Sequence, residues 1–88
     1  MSYLLVVDNR ARKKLEALPD DLLKRVDKKI LALGDEPRPA GCIKLAARDG
    51  PGYRIRVGDI RILYDVNDKE KIVRVFKIER REKAYKKR

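Results

Sequence analysis

The stretch YRIRVGDIRILYD, residues 53–65, decides the fold of this chain, because apolar and basic side chains alternate on both sides of a Gly58-Asp59 pair. Successive side chains of a β-strand point to opposite faces of the sheet. The isoleucines of the two runs therefore share one face, and Arg54, Arg56 and Arg61 share the other. A two-residue Gly-Asp connection between such runs is a hairpin signal. The stretch predicts a β-hairpin with one apolar face and one arginine-rich face.

The arginine-rich face predicts an anion-binding site. Guanidinium groups held within a few residues of one another repel one another unless an anion lies among them. Because arginine suits phosphate geometry, the face is a phosphate-binding platform in outline. In the alternative interpretation, Arg54 and Arg56 are only the solvated face of an edge hairpin, and Arg61 pairs with Asp59 or Asp65.

The composition indicates one small basic domain that spans residues 1–88. The 88 residues suffice for one core and leave no room for a second unit. The chain carries 24 Lys and Arg against 14 Asp and Glu, a net charge of +10, and residues 53–88 contribute +7 of this. Such a charge favours nucleic acid, an anionic membrane or an acidic protein as partner, although a merely well-solvated surface is also compatible with it.

The chain has no histidine, and Cys42 is its one cysteine. This excludes most transition-metal sites, so no metal and no cofactor are expected. Any catalysis must use Arg, Lys, Tyr, Asp or Glu. A lone cysteine fits a reducing compartment, and no signal peptide or membrane span is visible. We therefore expect a cytoplasmic protein without a membrane partner.

Hydrophobic periodicity predicts the remaining elements. The apolar run at residues 3–7 is typical of a strand covered on both faces, and Asp8 or Asn9 can cap a helix after it. Apolar stripes predict one helix before Pro19 and a second that ends at Gly34. A short strand is expected around residues 43–45, with Lys44 on the arginine side, and another strand at 72–78.

The predicted fold class is therefore α+β. A strand and two helices are followed by a three- to four-stranded antiparallel meander and a short basic C-terminal helix within residues 79–88. Both helices cover one face of the sheet, and the arginines lie on the other.

Three segments resemble the RelE/ParE toxin superfamily: Lys44-Leu45, the hairpin at residues 53–64, and RREKAY at residues 80–85. The resemblance covers nearly the whole chain and implies the RelE-like, microbial-RNase-like fold. It also implies a toxin of a toxin–antitoxin pair, bound and neutralised by a small cognate antitoxin. RelE-like members are ribosome-dependent endoribonucleases that cut mRNA in the ribosomal A site, whereas ParE-like members share the fold but poison DNA gyrase.

The resemblance also implies the site residues. Its catalytic positions correspond to Arg54, Arg56, Arg61, Arg80 and Tyr85, with Arg81 as an alternative to Arg80. The groups expected to bind RNA phosphates are Lys44, Arg81, Lys83 and Lys86. Some members of the family have lysine at the first two catalytic positions, and arginine cannot replace a lysine that donates a proton.

A metal-free mechanism is available to such a site. The 2′-hydroxyl of the RNA attacks the adjacent phosphate, and preorganised cations stabilise the transition state. Tyr85 is either the base, with its pKa lowered by neighbouring arginines, or a surface on which a nucleobase stacks. Glu79 or Glu82 is an alternative base, although each is expected to pair with Arg80 or Arg81. A non-catalytic nucleic-acid-binding module would instead show steep salt dependence without cleavage.

Overall fold

The computed structural model of the chain describes residues 2–80 and confirms the predicted α+β class. A short 3₁₀ turn at Ala47–Asp49 interrupts the loop before the hairpin. The other elements, in chain order, are β1 (Leu4–Val7), α1 (Asn9–Glu16), α2 (Asp20–Ala32), β2 (Ile43–Lys44), β3 (Tyr53–Val57), β4 (Ile60–Asn67) and β5 (Ile72–Arg80). The predicted C-terminal helix lies outside the described residues, except for Glu79 and Arg80, which end β5.

The five strands form one sheet in the order β1-β5-β4-β3-β2. Strands β2 to β5 make the predicted antiparallel meander, and β1 joins β5 in parallel. The prediction that β1 is covered on both faces is wrong, because β1 is an edge strand and Leu4 is 63% exposed. Both helices, which connect β1 to β2 along the chain, lie on one face of the sheet, so no helix of residues 2–80 covers the other face of β1.

The two helices begin where their sequences indicate, and α2 ends at Ala32, two residues before the predicted stop at Gly34. The side chain of Asp8 accepts a hydrogen bond from the backbone N–H of Ala11 at 3.2 Å and so caps α1. Pro19 precedes α2, and Asp20 and Asp21 in its first turn complement the positive end of the helix. Among residues 2–80, no helix is long and apolar enough to cross a membrane.

The core lies between the helices and one face of the sheet. Helix residues such as Val26 and Ile30 contact the inward face of the hairpin, where Ile60, Ile62 and Tyr64 have no exposed surface. Burying these side chains supplies most of the driving force for folding. No helix of residues 2–80 covers the opposite face of the sheet, which is called the open face below.

A β-bulge changes the direction of the side chains in β5. Leu63 pairs with Lys77 and Tyr64 pairs with Val75, so Phe76 is the extra residue. Val75 before the bulge and Ile78 after it both belong to the core. As a result, residues 77 and 79 point to the open face, although 73 and 75 point to the core.

Polar contacts attach the loop before β2 to the sheet. The buried hydroxyl of Tyr64 donates to the carbonyl of Pro37 at 2.6 Å, and burial raises the pKa of this phenol. Arg38 donates to the Tyr53 hydroxyl at 3.0 Å and forms an ion pair with Asp68 at 2.7 Å. These contacts hold the loop against the helix side of the hairpin.

Gly52→Ala is expected to destabilise the fold. The φ of Gly52 is +124°, and an added Cβ would lie 2.3 Å from the carbonyl oxygen of Tyr64. The backbone conformation alone costs about 1–3 kcal/mol for a residue with a Cβ, and the clash with backbone increases this cost. Gly50→Ala is the matched control, because φ is +93° there and a Cβ would meet no atom within 4 Å. Chemical denaturation measures both free energies of unfolding, and equal losses would contradict the role of the close approach.

Candidate functional site

The hairpin arginines lie together on the open face, as predicted. Arg56 pairs directly with Arg61 across the two strands, and Arg54 pairs with Leu63. Directly opposed residues of an antiparallel pair point to the same face, with Cβ atoms about 4.5–5.5 Å apart. The register therefore places the three arginine residues on one face, which α1 and α2 leave free.

Two clefts extend from this arginine cluster, and Arg61, Lys77 and Glu79 line both. The first, called the basic cleft, has a volume of about 640 Å³ and lies beside the β3–β4 turn. Its other lining residues are Lys14, Arg56, Gly58, Asp59, Ile78 and Arg80. The second, called the loop cleft, has a volume of about 350 Å³ and separates the open face from the 45–49 loop. Its other lining residues are Leu45, Arg48, Asp49, Arg54, Leu63 and Phe76.

Glu79 is the acidic partner of the arginine cluster. Its carboxylate accepts a hydrogen bond from Nη2 of Arg61 and lies 3.1 Å from Nζ of Lys77. Partial burial raises the pKa of Glu79, but the hydrogen bonds from Lys77 and Arg61 outweigh this effect and hold the pKa below its ordinary value. The expected pairing of Glu79 with Arg80 is therefore wrong, because Arg80 contacts Asp59 instead, and the alternative pairing with Arg81 lies outside the described residues. The alternative pairing of Arg61 with Asp59 or Asp65 is wrong too.

Arg80 reaches the basic cleft from a different direction. It pairs with Ile60, a core residue, so it starts on the helix side of the sheet. Its Nε lies 3.5 Å from a carboxylate oxygen of Asp59 in the hairpin turn. The structure thus brings Arg80 to the same cleft as Arg56 and Arg61, at the end of the sheet.

The prediction that Lys44 lies on the arginine side is wrong. Lys44 pairs with Tyr53, which belongs to the helix side of the hairpin, and Ile43 pairs with Arg54. The apolar neighbours of Lys44 do not reveal this orientation, because β2 has only two residues and its direction is set by the register with β3. Ile43, which is 50% exposed, occupies the position beside the arginines.

Four proposed site residues lie outside the described part of the chain: Arg81, Lys83, Tyr85 and Lys86. Their places in the site remain predictions from the resemblance.

The structure adds basic residues that the sequence did not single out. Lys14 comes from α1 and Lys77 from β5, and both line the basic cleft, while Arg48 lines the loop cleft. For Lys77 the sequence contains a signal, because the alternation of apolar and polar residues in the last strand is interrupted around Phe76. Lys14 looks like any solvated helix residue.

The arrangement is suited to binding a polyanion. Five cationic side chains line the basic cleft against two carboxylates. Arginine donors fixed on strands can hold a phosphate without large reorganisation, which is the condition for stabilising charge that develops in a transition state. Residues 2–80 contain no group of three or more Cys, Asp or Glu side chains placed to hold a metal ion.

Glu79→Gln is expected to reduce stability near neutral pH more than at acid pH. The folded-state pKa of Glu79 lies below the unfolded value of 4.5. Its contribution is thus fully present above that value and is lost as the pH falls through the folded pKa. Urea denaturation of wild type and variant at about pH 7 and about pH 3 measures the difference. Glu70→Gln, in the β4–β5 turn, controls for the change in net charge. An equal difference between wild type and Glu79→Gln at both pH values would contradict the prediction.

Comparison with known proteins identifies the family. The family model described as the ParE toxin of the type II toxin–antitoxin system, parDE, matches residues 5–85. A curated protein of Methanocaldococcus jannaschii, named as a candidate toxin RelE1, is 33% identical over 88 residues, and the match covers 98% of each chain.

Solved structures share the fold. A chain of the archaeal RelE–RelB complex from Pyrococcus horikoshii OT3 has a TM-score of 0.81 and 32% identity, over 94% of this chain and 99% of that one. The isolated E. coli RelE toxin has a TM-score of 0.77 and 25% identity, over 96% of this chain and 92% of that one. Because the family model matches residues 5–85 and the archaeal relative is 33% identical over 98% of each chain, this chain belongs to the RelE/ParE superfamily and is the toxin of a type II toxin–antitoxin system.

Proposed function

We propose that this toxin is a ribosome-dependent endoribonuclease that cuts mRNA in the ribosomal A site and so inhibits translation. The observation that carries the proposal is the direct pairing of Arg56 with Arg61 beside Arg54 on the open face. Like charges directly opposite each other destabilise a sheet. A polyanionic ligand such as RNA explains why these arginines lie together on a face that no helix of residues 2–80 covers.

The proposed reaction needs no metal. The 2′-hydroxyl of a nucleotide attacks the adjacent phosphate in line, and the products are a cyclic phosphate and a free 5′-hydroxyl. Negative charge accumulates on the phosphate oxygens in the transition state, where Arg54, Arg56 and Arg61 stabilise it. Because arginine keeps its proton, these side chains supply charge and orientation and do not transfer protons.

The ribosome supplies what the small site lacks. Both clefts are open, and neither encloses a substrate completely. Holding the message in a fixed conformation beside the arginines would convert loose contact into a reactive geometry, an effect that can contribute several kcal/mol. This explains why a site without histidine depends on the translating ribosome.

A second candidate function is inhibition of DNA gyrase. The observation that favours it is the match to a family model described as a ParE toxin. An inhibitor that binds a protein needs no phosphate site, however, so this function leaves the arrangement of the hairpin arginines unexplained.

The proposed protein partner is a small cognate antitoxin. The Pyrococcus horikoshii relative was solved as a RelE–RelB complex. In this chain, Ala32 and Val57 line an apolar groove beside α2, and four basic residues surround it: Arg25, Lys28, Lys29 and Arg56. An amphipathic segment with acidic residues at its margins complements this surface.

Arg61→Ala is expected to abolish toxicity. Loss of one fixed donor to the transition state lowers the cleavage rate about 10²–10³-fold. Wild type should arrest growth on induction and produce new 5′ ends inside codons of translated messages, mapped by primer extension. Arg12→Ala is the control, because it removes the same charge from an exposed position of α1 outside both clefts.

Two outcomes would contradict the proposed function. Growth arrest with intact messages and damaged or unreplicated DNA would support gyrase inhibition. Binding of nucleic acid with steep salt dependence but no cleavage would indicate a binding module.

Tyr85→Phe distinguishes the two roles proposed for the tail tyrosine. A phenylalanine ring stacks on a nucleobase but has no hydroxyl to exchange a proton. If Tyr85 stacks, the variant cleaves at close to the wild-type rate, whereas Tyr85→Ala is impaired. If Tyr85 is the base, both variants lose about 10²–10⁴-fold in the single-turnover rate of cleavage on the ribosome.

A further inference from the structure

The carboxylate of Glu79 lies inside the cationic site. Of the described carboxylates, it alone lines both the basic cleft and the loop cleft. It lies on the same face as the three hairpin arginines, because β5 pairs it directly with Arg61. A bound phosphate would therefore meet this carboxylate as well as the cations.

We propose that Glu79 is the general base that removes the proton from the attacking 2′-hydroxyl. The proposal rests on the endoribonuclease function and assigns the proton transfer in it that the arginines cannot perform. It makes Glu79 a catalytic residue that contacts the RNA.

The guanidinium of Arg61 can contact a phosphate and the proposed general base, Glu79, at the same time. Only Nη2 of Arg61 donates to Glu79, and a guanidinium carries five N–H donors. The remaining donors are available to a phosphate oxygen. A phosphate bound by these donors would be separated from the Glu79 carboxylate only by the guanidinium of Arg61. The 2′-oxygen that attacks the phosphorus belongs to the adjacent ribose and would lie close to this phosphate. In such a complex Glu79 would supply a proton acceptor beside the phosphate that Arg61 binds.

The surroundings keep the carboxylate in the form that accepts protons. Lys77 and Arg61 both contact it, and they hold its pKa below the ordinary value. Its side chain is 27% exposed, so it is accessible to a ligand in the clefts. A tyrosine with a pKa near 10 would first have to lose its own proton. Asp59, the other carboxylate of the basic cleft, lies in the turn beside Arg80.

The proposed step balances as follows. An oxygen of the Glu79 carboxylate takes the 2′-hydroxyl proton while the 2′-oxygen forms a bond to phosphorus. The bond from phosphorus to the 5′-oxygen breaks, and the leaving oxygen takes a proton from water. The products are a 2′,3′-cyclic phosphate and a 5′-hydroxyl end, and Glu79 returns its proton to solvent.

An alternative role for the contact between Glu79 and Arg61 predicts the opposite change in the cleavage rate. A carboxylate paired with Arg61 could act as an internal substitute for phosphate that RNA must displace. Removing its charge would then strengthen RNA binding and leave cleavage unchanged or faster. The sign of the change in the cleavage rate thus decides between the two roles.

The test uses Glu79→Gln in the full-length toxin with ribosomes programmed with a defined mRNA. Glutamine keeps an oxygen that accepts from Arg61 but is not a base. Single-turnover cleavage gives the rate, and a message with a 2′-deoxynucleotide at the cleavage position gives affinity without reaction. Glu70→Gln makes the same charge change in the β4–β5 turn and serves as the matched control. Thermal unfolding of each variant verifies folding.

We expect Glu79→Gln to cleave at least about 100-fold more slowly, in the range for loss of a general base, with equal or tighter binding and with Glu70→Gln unchanged. A wild-type or faster rate in Glu79→Gln would overturn the proposal and leave the endoribonuclease function intact. The proposal would also be overturned if Glu79→Gln cleaved and Glu79→Ala did not. In that case Glu79 would be a residue that positions Arg61. If the wild-type toxin itself did not cleave, both the general-base role of Glu79 and the endoribonuclease function would be overturned.

Discussion

The repulsion between Arg56 and Arg61, which oppose each other across the β3–β4 hairpin, is the constraint to which the rest of the site responds. In isolation this pair would weaken the hairpin. Glu79 and Asp59 offset the charge from two sides, one through Arg61 and the other through Arg80. The compensation is partial, so the lining of the basic cleft keeps more cationic than acidic side chains.

Burial of apolar side chains on the opposite face of the sheet offsets the repulsion between the arginines. Ile60 and Ile62 alternate with Arg61 in β4 and are fully buried under the helices. Their burial fixes the register, because a slip of one residue would move the isoleucines to the open face and the arginines into the core. The hydrophobic effect on one face therefore determines the positions of the charges on the other.

Much of the fold was predictable because local patterns agree with the tertiary contacts. The stripes of α1 and α2, the Asp8 cap and the Gly-Asp hairpin are each read from a few neighbouring residues. The errors concern orientation and neighbours. The apolar run of β1 is typical of a central strand although β1 lies at the edge, and the apolar neighbours of Lys44 indicate the arginine side although Lys44 faces the other way. Short strands carry too few residues for alternation to define their faces or their place in the sheet.

By itself, the sequence determined that three hairpin arginines share a face and that helices cover the other, since both follow from period-2 and period-3.6 patterns. Only the tertiary structure decided what surrounds those arginines. The bulge at Phe76 reverses the alternation in β5 and so brings Lys77 and Glu79 to the open face. Lys14 approaches from a helix far away in sequence. Such neighbours depend on strand register and on packing between distant segments, which no local periodicity encodes.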